Sequence, residues 1–150
     1  MKIIINNIED TKRLANIIAS FVKVGDVVCL NGDLGAGKTT FTKFFAEAIG
    51  IKEIVNSPTF NIIKCYFNKN INLYHIDAYR LEDNNFDMGL DEYIYGDGVC
   101  VIEWGKFIKD IIPDSNLTLD IKRVDETKRE VEISGGSHLI KDVIEAWEEC

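Results

Sequence analysis

The stretch VCLNGDLGAGKTTF, residues 28–41, passes from an apolar run into glycines and then presents a lysine and two threonines. Gly32, Gly37, Lys38 and Thr39 satisfy the pattern G-x-x-x-x-G-K-[ST], which belongs to loops that cradle phosphates. The chemistry explains the order of residues. Glycines let the backbone curl so that its N–H groups converge on phosphate oxygens. A helix starting where the loop ends turns its positive pole on the same anion. Lys38 then reaches the β- and γ-phosphates, and the Thr39 hydroxyl is a hard oxygen ligand for Mg2+, the ion that bridges such phosphates. The motif specifies a nucleoside triphosphate, but neither the base nor the reaction.

A site of this kind also needs an acid at the end of a neighbouring strand, to hold the magnesium shell and to set up a water for attack. Asp77 in LYHID and Glu103 in CVIEW both end apolar runs. VCVIE reads as a buried parallel strand, which places its end at the sheet edge that carries the phosphate loop. Glu103 is therefore assigned to the metal and Asp77 to orienting or deprotonating water, with the reverse assignment left open. In NSPTF, residues 56–60, Pro58 stiffens a turn and Thr59 offers a hydroxyl. A loop threonine can sense a γ-phosphate and its Mg2+, and the same tripeptide serves as an ordinary turn. His75 alternates with Leu73 and Asp77 on one strand face and reads as a hydrogen-bonded core or rim residue. Trp104 reads either as core or as a neighbour of the nucleotide. His75 and His138 are the only histidines, which excludes a histidine-rich metal centre.

The elements that must position these groups follow from periodicity. KIIIN reads as a short strand. Asp10 caps a helix from Thr11 to about Val22, with Leu14, Ile17, Ile18, Phe21 and Val22 on one face. DVVCLN is a buried strand before the glycine loop, and Thr39 to Ile49 is a helix stopped by Gly50. NIIKCYFNKNINLYHIDAYR reads as a hairpin around NKN, MGLDEYIYG as a short helix, VCVIEW as a second buried strand, and GKFIKDII as a helix ended near Pro113. NLTLDIKRV and KREVEIS pair as a hairpin, and HLIKDVIEAWEE is a closing amphipathic helix. The class is α/β, with a mixed sheet of parallel core and antiparallel hairpins in one domain, residues 1–150.

Composition narrows the function classes. The chain carries 25 acids against 17 bases, a formal net charge of −8. A protein that grips a nucleic-acid backbone unaided would show a basic face, so direct, tight nucleic-acid binding is disfavoured and work through a protein partner fits better. No apolar run approaches the roughly 20 residues of a membrane span. MKIIINNIEDTK lacks the apolar core of a signal peptide, which reads as a cytoplasmic protein. Cys29, Cys65, Cys100 and Cys150 show no metal or redox spacing; the first three lie in apolar segments and read as buried free thiols of a reducing compartment.

The nucleotide also sorts by motif. Guanine recognition would need N-K-x-D, and NKNI, residues 68–71, lacks the aspartate; no D-x-x-G switch occurs, so ATP is favoured. A small-molecule kinase would carry a lid with arginines, whereas Arg13, Arg80, Arg123 and Arg129 are scattered.

LNGDLGAGKTTF, NSPTF, LYHIDAYRL, MGLDEY and VIEWG occur in an order and spacing similar to the bacterial TsaE (YjeE) family, and the similarity runs through the final KREVEISGG. The resemblance implies a three-layer P-loop NTPase-like fold of unusual strand order. It implies a small Mg2+-dependent ATPase required for threonylcarbamoyladenosine in tRNAs reading codons that begin with A. Such an ATPase would act with the TsaD–TsaB heterodimer, meeting tRNA only through that complex, and its ATP hydrolysis would support repeated turnover. By motif, the nucleotide loop comprises Asp33, Leu34, Gly35, Ala36, Gly37, Lys38, Thr39 and Thr40. Thr39 and Glu103 hold magnesium, Thr59 and Asp77 belong to the hydrolytic or switch apparatus with Lys38 among the catalytic residues, Thr11 lies near the base, and Trp104 matches the family tryptophan beside the acid. The loose match of IEWGKFI leaves that segment open. Hydrolysis by the isolated chain is expected to be slow, because no arginine finger is evident near the loop. The rival readings are a nucleotide-dependent binding switch without essential hydrolysis, and a small-molecule kinase.

Overall fold

The computed structural model describes residues 1–33, 35–56, 62–79 and 89–149. In chain order it contains β1 (Lys2–Ile5), α1 (Ile8–Phe21), β2 (Val27–Asn31), α2 (Lys38–Ala48), β3 (Ile63–Tyr66), β4 (Asn72–Asp77), α3 (Asp91–Ile94), β5 (Gly98–Glu103), a 3-10 helix (Gly105–Ile111), β6 (Leu117–Arg123), β7 (Arg129–Ser134) and α4 (Leu139–Glu148). The strands form one sheet in the order β1-β7-β6-β2-β5-β4-β3. β2 lies parallel to β5 and β6, and β4 parallel to β5. β3, β7 and β1 add to the flanks in antiparallel fashion.

Hydrophobic pattern decides which strands sit centrally. Val27–Leu30 and Gly98–Glu103 are buried on both faces, as a continuous apolar run requires of a strand covered by helices on either side. β6 and β7 instead alternate. Leu117, Leu119, Ile121, Val131 and Ile133 face inward, while Asp120, Lys122 and Glu132 are exposed. On one face, α1, α2 and α4 cover the whole sheet, with Leu14, Ile18, Phe41, Phe45, Leu139 and Val143 packed over Val28, Leu30, Val101 and Leu119. On the other, α3 and the 3-10 helix cover only the β2-β5-β4 half through Leu90, Ile94 and Ile108. The result is a three-layer α/β fold of P-loop NTPase-like type with a mixed sheet. Among the described residues no helix is long and apolar enough to cross a membrane.

Two local differences from the sequence reading have physical causes. α1 starts at Ile8 because Asn7, not Asp10, is the cap: its side chain accepts from Asp10 N at 2.9 Å. Asp10 reaches back to accept from Asn6 N at 3.0 Å, the amide just before the cap. Residues 105–111 form a 3-10 rather than an α-helix. The backbone leaves helical geometry at Ile108 (φ −134, ψ 33), so the segment runs as two short turns across a kink. Cys29 and Cys100 are buried free thiols as read, Cys65 is half-buried, and Cys150 lies outside the described residues.

The parallel register matters most for function. Leu30 pairs with Glu103, and Glu103 with Asp77. The ends of β2, β5 and β4 therefore stand side by side at one sheet edge, where the chain leaves β2 to form the glycine loop.

Candidate functional site

The loop between β2 and α2 is shaped by close backbone approach. Gly32 has φ +150, and a Cβ there would sit 2.5 Å from the Ile121 carbonyl oxygen of β6. Gly37, the residue preceding α2, is left-handed at φ +111 and offers no side-chain cap. The first-turn amides of α2 are thus left to an anion. Gly32→Ala is expected to lower the thermal midpoint by several degrees, equivalent to about 1–3 kcal/mol. A thermal scan showing no change would contradict the tight approach of loop and β6.

Lys38 opens α2 and is buried. Its ammonium donates to the Gly32 carbonyl at 2.6 Å and lies 4.2 Å from the centroid of the Trp104 ring. Burial lowers its pKa, and the charges of Glu103, Asp77 and Asp33 act in the opposite direction. Trp104 is held at φ +58, a left-handed conformation that is uncommon for a bulky residue and typical of functional sites. Tyr79 and Phe107 pack on it, with ring centroids at 5.1 and 6.2 Å. The indole is therefore fixed as a wall beside the lysine.

The two strand-end acids differ in setting. Glu103 is only 3% exposed, and its Oε2 lies 2.6 Å from Nε2 of the fully buried His75. Asp77, its register partner on β4, is half-buried and accepts from Tyr79 N at 3.1 Å. Burial pushes the Asp77 carboxyl above its ordinary pKa, and the Glu103 charge adds to this. The Tyr79 amide, His75 and Lys38 pull it back. Lys38, Asp77 and Glu103 form one electrostatic group at the sheet edge.

Beside the loop lies a cavity of about 330 Å3, walled by Thr11, Ala36, Gly37, Thr40, Glu126 and Thr127, with Ile5, Ile8, Leu14 and Phe41 supplying apolar surface. α1, the start of α2 and the β6–β7 hairpin meet here, which puts Thr11 in the same cavity as the loop's end. Asp33 is exposed, and Thr39 and Thr40 are half-buried in the first turn of α2. Thr59 and Leu34 lie outside the described residues.

Arg129 is a site residue that the sequence reading missed. Its Nε donates to the Ala36 carbonyl at 2.9 Å, and its Nη1 to the carbonyls of Asp125 at 2.7 Å and Lys128 at 3.0 Å. The side chain ties the β6–β7 hairpin to the back of the phosphate loop. Glu126 and Thr127, at the hairpin tip, were also passed over. No spacing signal marks any of the three, because the hairpin reaches the loop only through the order of strands in the sheet.

The donor set fits Mg2+. This ion keeps several waters and takes one or two protein oxygens plus phosphate oxygens. Glu103 and Thr39 supply a carboxylate and a hydroxyl. Among the described residues no group of three or more His, Cys, Asp or Glu could hold a metal on protein atoms alone.

A family model described as "Threonylcarbamoyl adenosine biosynthesis protein TsaE" matches residues 5–131. The chain is 54% identical over 125 residues to the tRNA threonylcarbamoyladenosine biosynthesis protein TsaE of Bacillus subtilis, covering 83% of this chain and 79% of that protein. It is 40% identical over 134 residues to the protein of that name from Aquifex aeolicus, covering 88% and 94%. The counterpart from Treponema pallidum is 37% identical over 136 residues, covering 89% and 100%. The crystal structure of Bacillus subtilis YdiB superposes with a TM-score of 0.81 at 41% identity, covering 99% of this chain and 94% of that one.

Proposed function

This chain belongs to the TsaE family, whose members are named for tRNA threonylcarbamoyladenosine biosynthesis, and on that premise we propose that it binds ATP with Mg2+ and hydrolyses it in support of the TsaD–TsaB heterodimer. The observation that carries the ATPase reading is the register of Glu103 with Asp77 beside Lys38. An ammonium, a metal-binding carboxylate and a second carboxylate meet at the end of the strand that feeds the phosphate loop.

Each residue has a distinct task in this reading. The loop amides and Lys38 hold the triphosphate and offset charge that develops as the terminal phosphate leaves. Thr39 and Glu103 hold Mg2+, which when bound neutralises phosphate charge. Asp77 orients the attacking water and accepts its proton; a carboxyl pushed up by burial is a better base than an ordinary aspartate. The cavity next to Gly37 accommodates the nucleoside, with Thr11 at its wall. Arg129 spends its donors on backbone carbonyls and is not free to act as an arginine finger. That supports slow hydrolysis by the chain alone and a contribution from the partner. The net charge of −8 suits a component that meets tRNA only through the heterodimer.

Reconstitution tests this function. The heterodimer, tRNA, the threonylcarbamoyl donor and ATP are combined with and without the chain, and modified adenosine is scored. Product is expected to exceed one equivalent of heterodimer only when the chain and ATP are both present. The same number of turnovers without the chain would contradict the proposal.

A further inference from the structure

The motif reading leaves His75 without a task. It is fully buried, and its Nε2 lies 2.6 Å from Glu103 Oε2, a carboxylate itself only 3% exposed. The pairing is set by the sheet. His75 is in register with Val101, and Asp77 with Glu103, so His75 and Glu103 are diagonal neighbours across two parallel strands, on the face covered by α2. Diagonal pairs lie within reach of long side chains. Leu73 and Val101, which flank them on the same face, belong to the core under α1 and α2. Both side chains are buried on this face.

A buried imidazole in a core usually satisfies both nitrogens. Here Nδ1 has no hydrogen-bond partner among the described residues. Among the described residues the ring's one polar contact is therefore with Glu103, and its other buried nitrogen carries a cost that a purely structural residue would not be expected to carry. An apolar side chain of similar volume would fill the space without it.

We propose that His75 is the positioning residue of the metal-binding carboxylate: it holds Glu103 Oε2 from within the sheet, fixing the rotamer that leaves Oε1 for a divalent cation. A long carboxylate that is not held loses rotamer freedom when it binds a cation, and groups that orient a metal ligand typically matter about 10–100-fold in metal affinity. Asp77 does not replace this contact, because it stands directly opposite Glu103 and carries the same charge. The inference rests on the reading of Glu103 as a magnesium ligand.

The test is calorimetry with a non-hydrolysable ATP analogue, run in Mg2+ and in EDTA, on the full chain. The measured quantity is the ratio of the two affinities. For His75→Leu, which keeps volume and removes the donor, the ratio is expected to fall about tenfold or more, with affinity in EDTA unchanged. His75→Gln carries an amide nitrogen near the place of Nε2 and is expected to restore most of the ratio. His75→Asn carries its nitrogen near the place of Nδ1 and is expected not to. This pair decides the matter even if the leucine variant fails to fold. Equal ratios for Gln and Asn, or a leucine variant that folds and matches the native ratio, would overturn the proposal while leaving the site reading intact. A native chain whose analogue affinity is the same in Mg2+ and EDTA would overturn the magnesium reading, and this inference with it.

Discussion

Lys38→Ala is expected to weaken ATP binding by more than about 100-fold, the equivalent of about 3–5 kcal/mol for removing one member of a buried charge group. The ammonium donates to the Gly32 carbonyl and feels the charges of both strand-end carboxylates. Without it, Glu103 and Asp77 would face an incoming triphosphate with no screening charge. Truncation also removes packing, because the lysine lies against the Trp104 ring at 4.2 Å. Lys38→Met keeps an unbranched stem in this place while removing the charge and its cation–π contact with the indole. Both variants should lose binding to a similar degree by calorimetry. If Lys38→Met binds ATP with native affinity, the charge is not what holds the phosphates.

The second large effect belongs to Asp77. Asp77→Asn is expected to bind ATP within about threefold of the native affinity and to lose about 10²–10⁴-fold in hydrolysis, the usual contribution of a general base. The asparagine Oδ1 can still accept from Tyr79 N, so the loop after β4 keeps its 3.1 Å contact. Stability should move the other way. Burial favours the neutral aspartic acid over the carboxylate. The contribution of Asp77 to stability is therefore fully present below the ordinary aspartate range and is lost as pH rises through its raised folded value. At neutral pH the asparagine variant should melt slightly higher than the native chain, and below pH 3.8, the ordinary aspartate value, the two should converge. The same shift predicts that the acid limb of hydrolysis lies above the ordinary aspartate range. A variant that hydrolyses ATP at the native rate removes Asp77 from the chemistry. If the variant supports full tRNA modification without hydrolysis, the chain works as a nucleotide-dependent switch.

How far the sequence spoke for the site can be judged residue by residue. Gly32, Gly37, Lys38 and Thr39 read as a phosphate loop in the sequence because phosphate chemistry would constrain backbone and spacing within eight residues. Glu103 was legible because a continuous apolar run signals a strand buried on both faces, and such a strand in an α/β sheet brings its end to the ligand edge. Asp77 was legible as a strand end, but its register with Glu103 was not, because the hairpin reading of β3 and β4 says nothing about which strand lies on the far side of β4. His75 shows the same limit more sharply. Its alternation with Leu73 and Asp77 gave its face, while its partner lies 28 positions away and is fixed only by parallel pairing. Arg129 was invisible as a site residue because it reads as the start of a strand, and only the order β7-β6-β2 brings it under the loop. The left-handed Trp104 carries no sequence mark at all. A bulky residue at φ +58 goes against local preference, and Tyr79 and Phe107 pack on its ring.

The central claim is that loop amides, Lys38 and a cation shared by Thr39 and Glu103 hold an adenine triphosphate. Calorimetric titration of the intact, folded chain with ATP in Mg2+ measures it most directly. One-to-one binding that weakens on replacing Mg2+ with EDTA, and that is lost in Lys38→Met, is the predicted result. No heat of association with ATP in Mg2+, from protein whose thermal transition shows it to be folded, would contradict the account.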